Sequence, residues 1–217
     1  MSEAAVAGDQ AGDVRVSGVG TLRRLTLNRP KALNALTRGM AETMTRCLQS
    51  WAADPGVGAV LIDGAGDRGL CAGGDLRALY DAAKAKTPLP AQFWSTEYRL
   101  NVLIARYAKP VIAVMDGVVM GGGVGISLPA RYRIATERTT FAMPEAGIGL
   151  FPDVGSGRYL SRLHGKTGAW LALTGARPPR RRPCSRSGRG CRRRRRNRGR
   201  RHGRSAPRAR PDRPATQ

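Results

Sequence analysis

The sequence predicts an α/β fold, and the alternation of strand-like and helix-like segments is the main evidence for it. Residues 57–62 and 111–115 are continuous apolar runs of strand length, as in strands buried on both faces. Apolar residues at helical spacing precede and separate these runs. A strand, a helix and a parallel strand form the elementary α/β unit, and 217 residues suffice for one domain with its own core.

The predicted elements follow one another along residues 14–175. Residues 14–28 alternate apolar and polar side chains around Gly18 and Gly20, which predicts two short strands joined by a turn. Residues 36–51 carry apolar side chains every three or four positions and predict an amphipathic helix of about four turns. Further helices are predicted at residues 76–85, 91–108 and 167–173, with a short one ending before Pro129, and further strands at 132–136 and 140–143.

The positive charge of the chain is concentrated near its C-terminus. Residues 177–217 hold 18 arginines against one acid, Asp212, so they contribute +17 of the net charge of +23. No large apolar residue follows Leu173, so this segment is predicted to be disordered. The same abrupt change is typical of a shifted reading frame in GC-rich coding DNA. We therefore divide the chain into a flexible leader (1–12), a catalytic core (13–176) and a disordered arginine-rich tail (177–217).

Several classes of protein are not indicated by the composition. Four cysteines and two histidines show no metal-ligand spacing, so no metal site and no cofactor are predicted. Gly64, Gly66 and Gly69 form a G-x-G-x-x-G, but further glycines, instead of a helix, follow Gly69, which argues against a dinucleotide site. No apolar run is long enough for a membrane span and no secretory signal is present, so a cytoplasmic protein is expected.

Two glycine-rich turns and one carboxylate form the candidate site. The turns are residues 71–75, with sequence CAGGD, and residues 120–125, with sequence MGGGVG, and each follows an apolar strand. Glycines let a ligand approach the backbone and leave N–H groups free to bind an oxyanion. We predict that both turns act together with Glu145 in one catalytic site.

Two further carboxylates occur in apolar surroundings. Glu97 shares a predicted helix face with Phe93, which is costly for a carboxylate unless it is paired with a cation or used in the site. Asp153 lies in an apolar loop, where it could belong to the site or cap the next helix. The residues alone leave both alternatives open.

Four motifs identify a resemblance to the crotonase (enoyl-CoA hydratase/isomerase) superfamily. They are LNRPKALNAL at residues 27–36, LCAGGDL at 70–76, KPVIAVMDGVVMGGGVG at 109–125 and AMPEAGIGLFPDVG at 142–155. The resemblance implies a spiral of ββα repeats that binds acyl-CoA. It also implies an oxyanion hole made by the N–H groups of Ala72 and Gly122. The residues implied to contact the substrate are Lys31, Ala32, Asn34, Ala35, Gly73, Gly74, Asp75, Gly121 and Glu97.

The same resemblance points to one branch of the superfamily. Hydratases carry a second glutamate just after the triple glycine, where this chain has Gly125. The runs FWSTEY and AMPEAGIGLFPDVG instead resemble the hydrolases that cleave 3-hydroxyisobutyryl-CoA in valine catabolism. The resemblance implies that Glu145 is the base or nucleophile and that Asp153 orients the substrate hydroxyl. A hydratase or isomerase of the same fold is the alternative.

The chain departs from the family after residue 176. Members of this branch continue with a helical region that covers the acyl-CoA and often forms oligomers, whereas this chain continues with the arginine-rich tail. We expect exposed apolar surface on the core and loss of the family's oligomer interface. A third alternative is therefore an inactive product whose tail binds nucleic acids or other polyanions without sequence specificity.

Overall fold

Strands and helices alternate along the part of the chain that the structure describes, residues 5–6 and 12–178 of a computed structural model. The strands are β1 (Ala5–Val6), β2 (Val14–Val19), β3 (Leu22–Leu27), β4 (Ala59–Gly64), β5 (Gly69–Cys71), β6 (Val111–Met115), β7 (Val118–Met120), β8 (Tyr132–Ala135) and β9 (Thr140–Ala142). The helices are α1 (Arg38–Ala52), α2 (Leu76–Lys84), α3 (Leu89–Ala105), α4 (Gly122–Ser127), α5 (Ser156–Leu160) and α6 (Thr167–Thr174). Two short 3-10 turns cover Pro30–Ala32 and Glu145–Ile148.

The described strands form two sheets. One has six strands in the order β1-β2-β3-β4-β6-β8, with antiparallel pairing from β1 to β3 and parallel pairing from β3 onward. The other has three strands in the order β5-β7-β9, all parallel. From β4 onward, consecutive strands alternate between the sheets: β4, β6 and β8 lie in the large sheet, and β5, β7 and β9 lie in the small one. This repeated pair of strands with its following helices is the predicted ββα spiral, and the fold class is confirmed.

The core lies where the central strands of the large sheet meet α1 and α3. Helix α1 buries Met40, Met44 and Leu48, whose spacing puts them on one face of a helix. Its N-terminus is capped by the Thr37 hydroxyl, which accepts a hydrogen bond from the Met40 N–H at 3.2 Å. The long helix α3, which carries Glu97, adds Phe93, Leu100 and Ile104 to the same core.

The three strands of the small sheet were not predicted in full, although they position both glycine-rich turns. Strands β5 and β7 have only three residues each, too few to show a periodic pattern, and we interpreted their sequences as parts of turns. The rejection of a dinucleotide site is supported by Gly69, which begins a strand and does not open a helix. Within the predicted leader, residues 5–6 form β1, which pairs with β2. Residues 1–4 and 7–11 of the leader and nearly all of the predicted tail, residues 179–217, lie outside the described residues.

Among the described residues, no helix combines the length and the apolar character that crossing a membrane requires.

Candidate active site

The two glycine-rich turns are neighbours because β5 and β7 pair in parallel and end at the same edge of the small sheet. The first turn follows Cys71, and the second leads from Met120 through Gly121 into α4. A Cβ placed on Gly122 would lie 3.5 Å from the Gly74 nitrogen. Gly73 and Gly121 have φ angles of 120° and 47°, which side chains rarely tolerate. The approach of the two backbones therefore depends on glycine.

The hydrogen bonds of the first turn revise the expected pair of oxyanion donors. The Ala72 N–H already donates to the Leu33 carbonyl at 3.1 Å, so it is not free to bind a ligand. The N–H groups of Gly74 and Gly122 have no acceptor within the described part of the protein. The free donors where the two turns approach each other are thus the N–H groups of Gly74 and Gly122, whereas the Ala72 N–H ties its turn to the segment after β3.

A cavity of about 150 Å³ opens beside these donors. It brings together most of the predicted site, because both turns and all three candidate carboxylates line it. The predicted residues among its walls are Ala72, Gly73, Gly74, Glu97, Gly121, Gly122, Glu145 and Asp153. Apolar side chains complete the walls, namely Leu76, Leu79, Phe93, Trp94, Pro144, Ile148, Leu150 and Val154.

Glu97 projects from the buried face of α3 and has no partner among the described residues. Its side chain is 2% exposed, and its Oε1 atom makes no hydrogen bond. Burial, together with the negative charges of Asp153 and Glu145, raises the pKa of Glu97 to about 8. No arginine or other cation among the described residues pairs with Glu97. With a pKa of about 8, its carboxyl group is therefore protonated at neutral pH.

Glu145 begins the 3-10 turn after β9 and is 7% exposed. Its Oε1 atom would lie 3.1 Å from a Cβ on Gly121, so it faces the second glycine-rich turn, and Oε2 has no hydrogen-bond partner within the described chain. Burial, together with the negative charge of Asp153, raises the pKa of Glu145 to about 7. A carboxylate that titrates near neutral pH is well suited to accept a proton from water.

Asp153 is held by a residue that the sequence analysis did not select. The Tyr98 hydroxyl donates a hydrogen bond of 2.7 Å to Asp153 Oδ2 across 55 positions of sequence. The alternative role of Asp153 as a helix cap is not seen, since Gly155 precedes α5 and makes no side-chain cap. Tyr98 ends the run FWSTEY that resembles the hydrolases, but only Glu97 of that run was assigned a role, because a half-exposed tyrosine on a helix is unremarkable.

Five of the predicted substrate contacts do not line the cavity. The Asn34 side chain accepts from the Arg29 N–H and donates to the carbonyls of Ala65 and Gly69, so all its capacity goes to holding the turns. Asp75 caps α2 by accepting from the Ala78 N–H at 3.2 Å. The remaining three are Lys31 and Ala32, which are exposed on the turn after β3, and the half-buried Ala35. This segment borders the first glycine-rich turn through the hydrogen bond from the Leu36 N–H to the Gly73 carbonyl at 2.8 Å.

The space beside Gly125 is closed by two side chains. A Cβ on Gly125 would lie 2.7 Å from Val154 Cβ and 2.8 Å from Asn101 Nδ2. Asn101 is itself buried, and neither end of its amide has a partner within the described residues. A larger side chain at position 125 cannot enter the site without displacing the Asp153 loop or α3.

Replacement of Gly125 by glutamate is therefore expected to destabilise the protein without creating hydratase activity. Overpacking costs about 1–3 kcal/mol and a buried, unpaired charge adds to it, so we expect the melting temperature to fall by about 3–10 °C. Thermal unfolding of Gly125→Glu checks this, with Gly157→Glu as the control because no atom lies within 4 Å of a Cβ there. A well-folded Gly125→Glu protein that hydrates crotonyl-CoA would refute the steric argument.

Glu97→Gln is expected to make the fold more stable, and more so at alkaline pH. Because the pKa of Glu97 is about 8 in the folded protein and lower in the unfolded chain, the unfolded chain loses its proton first as pH rises. Stability contributed by the protonated group is thus lost between about pH 4.5 and 8. Melting curves should show a larger gain for Glu97→Gln at pH 8 than at pH 5, with exposed Glu137→Gln as the control. An equal gain at both pH values would show that Glu97 is not held protonated.

Among the described residues, no group of three His, Cys, Asp or Glu side chains is arranged to hold a metal ion.

Comparison with known proteins places this geometry in a family. Residues 22–181 match the family described as "Enoyl-CoA hydratase/isomerase". The chain is 52% identical over 165 residues to the protein named "3-hydroxyisobutyryl-CoA hydrolase, mitochondrial" from Danio rerio, covering 76% of this chain and 43% of that protein. The Homo sapiens protein of the same name is 47% identical over 169 residues, covering 78% and 44%. The chain thus spans less than half the length of these relatives.

Solved structures share the fold. A structure titled as a carnitinyl-CoA dehydratase from Mycobacterium thermoresistibile is 54% identical, with a TM-score of 0.74, and the match covers 76% of this chain and 48% of that one. One titled as an enoyl-CoA hydratase from Rhodobacter sphaeroides 2.4.1 is 45% identical, with a TM-score of 0.75, covering 78% and 50%. The match therefore extends over most of the described residues.

Proposed function

The chain belongs to the enoyl-CoA hydratase/isomerase family, and on that basis we propose that its core is an acyl-CoA thioester hydrolase for 3-hydroxyisobutyryl-CoA. The observation that carries the proposal is the closed space beside Gly125. In a hydratase the second glutamate comes from this position, whereas here Val154 and Asn101 fill the space. Glu145 then acts without the partner that addition of water across a double bond requires. The similarity to relatives named as 3-hydroxyisobutyryl-CoA hydrolases supports this choice.

The two free backbone donors suit the oxyanion of a thioester hydrolysis. When water attacks the carbonyl carbon, the carbonyl oxygen becomes negative and accepts hydrogen bonds from the N–H groups of Gly74 and Gly122. Donors that are fixed before the reaction stabilise this charge by about 3 kcal/mol each. Collapse of the intermediate breaks the carbon–sulfur bond and releases the CoA thiolate, which takes up a proton.

Glu145 supplies the base for this reaction. Its carboxylate either removes a proton from the attacking water or attacks the carbonyl carbon itself, in which case CoA leaves and water then hydrolyses the resulting anhydride with Glu145. In both routes the thioester oxygen becomes negative. Since the pKa of Glu145 is about 7, a large fraction of the protein carries the ionised base at neutral pH. The protonated Glu97 beside it lowers the negative charge that the substrate meets.

Asp153 gives the site its preference for a hydroxylated acyl group. Its Oδ2 atom is engaged by Tyr98, and Oδ1 has no partner among the described residues, so Oδ1 can accept a hydrogen bond from the substrate 3-hydroxyl. Gly73, Gly121 and Glu97 form the acyl pocket. We assign the CoA portion to the exposed edge next to it, where Lys31 and Ala32 lie.

Release of free CoA from 3-hydroxyisobutyryl-CoA, followed with a thiol reagent, tests the proposal. Saturable release by the purified chain supports hydrolysis. A folded chain that releases no CoA but hydrates crotonyl-CoA would replace the proposal with the hydratase function that the titles of similar structures carry.

Other expectations for the whole protein stay predictions. The names of the vertebrate relatives place those proteins in mitochondria, whereas a cytoplasmic location is our expectation for this chain. We also predict that the protein needs no cofactor, that the oligomer interface is lost and that the tail binds polyanions without specificity.

A further inference from the structure

We propose that Tyr98 is a positioning residue that fixes Asp153 for recognition of the substrate 3-hydroxyl. The inference rests on the hydrolase function proposed above and assigns a role to Tyr98, a residue of the run FWSTEY to which the resemblance gave none. Tyr98 follows Glu97 on α3 and reaches the loop after the 3-10 turn through its hydrogen bond to Asp153 Oδ2. A helix of 17 residues is a rigid base for this contact.

The Asp153 backbone is already fixed by its loop, so the effect of Tyr98 is to restrict rotation of the Asp153 side chain. The Ser156 N–H donates to the Asp153 carbonyl and the Ser156 hydroxyl donates to the Pro152 carbonyl, each at 2.8 Å. Val154 has a φ of 46°, a strained value for a β-branched residue, and is 5% exposed where it packs over Gly125. A loop held this tightly presents its one carboxylate in a single place.

The hydrogen bond also divides the two carboxylate oxygens between two tasks. Tyr98 binds Oδ2, which leaves Oδ1 as the acceptor for a ligand hydroxyl. Burial and the hydrogen bond to Asp153 raise the pKa of Tyr98, so its hydroxyl stays a donor at neutral pH. Without this donor the carboxylate could rotate away or point both oxygens elsewhere, and the hydroxyl group would lose its oriented acceptor.

The expected consequence of removing the Tyr98 hydroxyl is a loss of selectivity for the hydroxylated substrate. Isobutyryl-CoA has the same carbon skeleton as 3-hydroxyisobutyryl-CoA but lacks the hydroxyl. Tyr98→Phe should lower kcat/KM for the hydroxylated substrate by about 10-fold, the size of one charge-assisted hydrogen bond, and change that for isobutyryl-CoA by less than about 3-fold. A merely structural role would lower both values equally.

A double-mutant cycle with Asp153→Asn tests whether the two residues act together. In the Asp153→Asn background, Tyr98→Phe should have almost no further effect on selectivity. Tyr132→Phe is the control, because Tyr132 is exposed on β8, away from the cavity. Equal losses for both substrates, or additive effects of the two substitutions, would overturn the proposal.

Binding measurements separate this inference from the proposed function. Analogues of the two acyl-CoAs with a methylene group in place of the sulfur cannot be hydrolysed. Calorimetry should show that the unmodified protein prefers the hydroxylated analogue and that Tyr98→Phe loses about 10-fold of this preference. If no acyl-CoA is hydrolysed but this pattern is found, the hydrolase function fails and the role of Tyr98 stands. An unchanged preference in Tyr98→Phe would refute the role of Tyr98 whatever the activity.

Discussion

Glu145→Gln is expected to lower kcat for hydrolysis of 3-hydroxyisobutyryl-CoA by about 10³-fold, within the range for removal of a general base. The amide has nearly the same shape as the carboxylic acid, so the cavity keeps its geometry, but it cannot accept a proton or attack a carbonyl. Because the pKa of Glu145 is about 7, the rate of the unmodified protein should rise with pH through this region. The residual rate of the variant should lack that rise.

Steady-state kinetics of thiol release across this pH range make the comparison. Glu137→Gln is the matched control, since Glu137 is an exposed carboxylate outside the cavity. Melting curves establish that both variants fold. A folded Glu145→Gln protein with more than about a tenth of the normal rate would show that Glu145 is not the base.

Gly122→Ala is expected to have the second largest effect, a fall of about 10² to 10³ in kcat/KM. A Cβ at this position would collide with Glu97 Oε1, the end of a side chain that lines the same cavity. Either the carboxyl group moves into the acyl pocket or the Gly122 backbone shifts, and each change disturbs the place where the oxyanion forms. Overpacking should also cost about 1–3 kcal/mol of stability.

Kinetics together with thermal unfolding separate the two effects of Gly122→Ala. Gly39→Ala is the control, because a Cβ there would meet only Thr37 Oγ1 at 3.9 Å on the exposed side of α1. Normal kcat/KM in folded Gly122→Ala would mean that this N–H does not bind the oxyanion.

Much of the site was predictable because its chemistry is local in sequence. Runs of glycine indicate a backbone that binds ligands. The three carboxylates were selected because they occur in apolar surroundings. The predicted core strand over residues 111–115 has the same bounds as β6, Val111–Met115, because a strand in the core has a continuous apolar sequence.

The parts that were not predictable depend on contacts between distant segments. The choice of Gly74 over Ala72 as a free donor follows from the Leu33 carbonyl, which lies far earlier in the chain and occupies the Ala72 N–H. Asn34 looked like a substrate contact, but its amide ties three segments together. Hydrogen-bond partners of this kind are set by the fold, so the residue types alone did not reveal them.

The fate of water oxygen tests the account most directly. The purified chain is incubated with 3-hydroxyisobutyryl-CoA, and separately with crotonyl-CoA, in water labelled with oxygen-18, and the products are identified by mass spectrometry. Hydrolysis predicts free CoA and a labelled carboxylate from the first substrate, with crotonyl-CoA not hydrated. Labelled 3-hydroxybutyryl-CoA with its thioester intact, and no free CoA from the first substrate, would contradict the account.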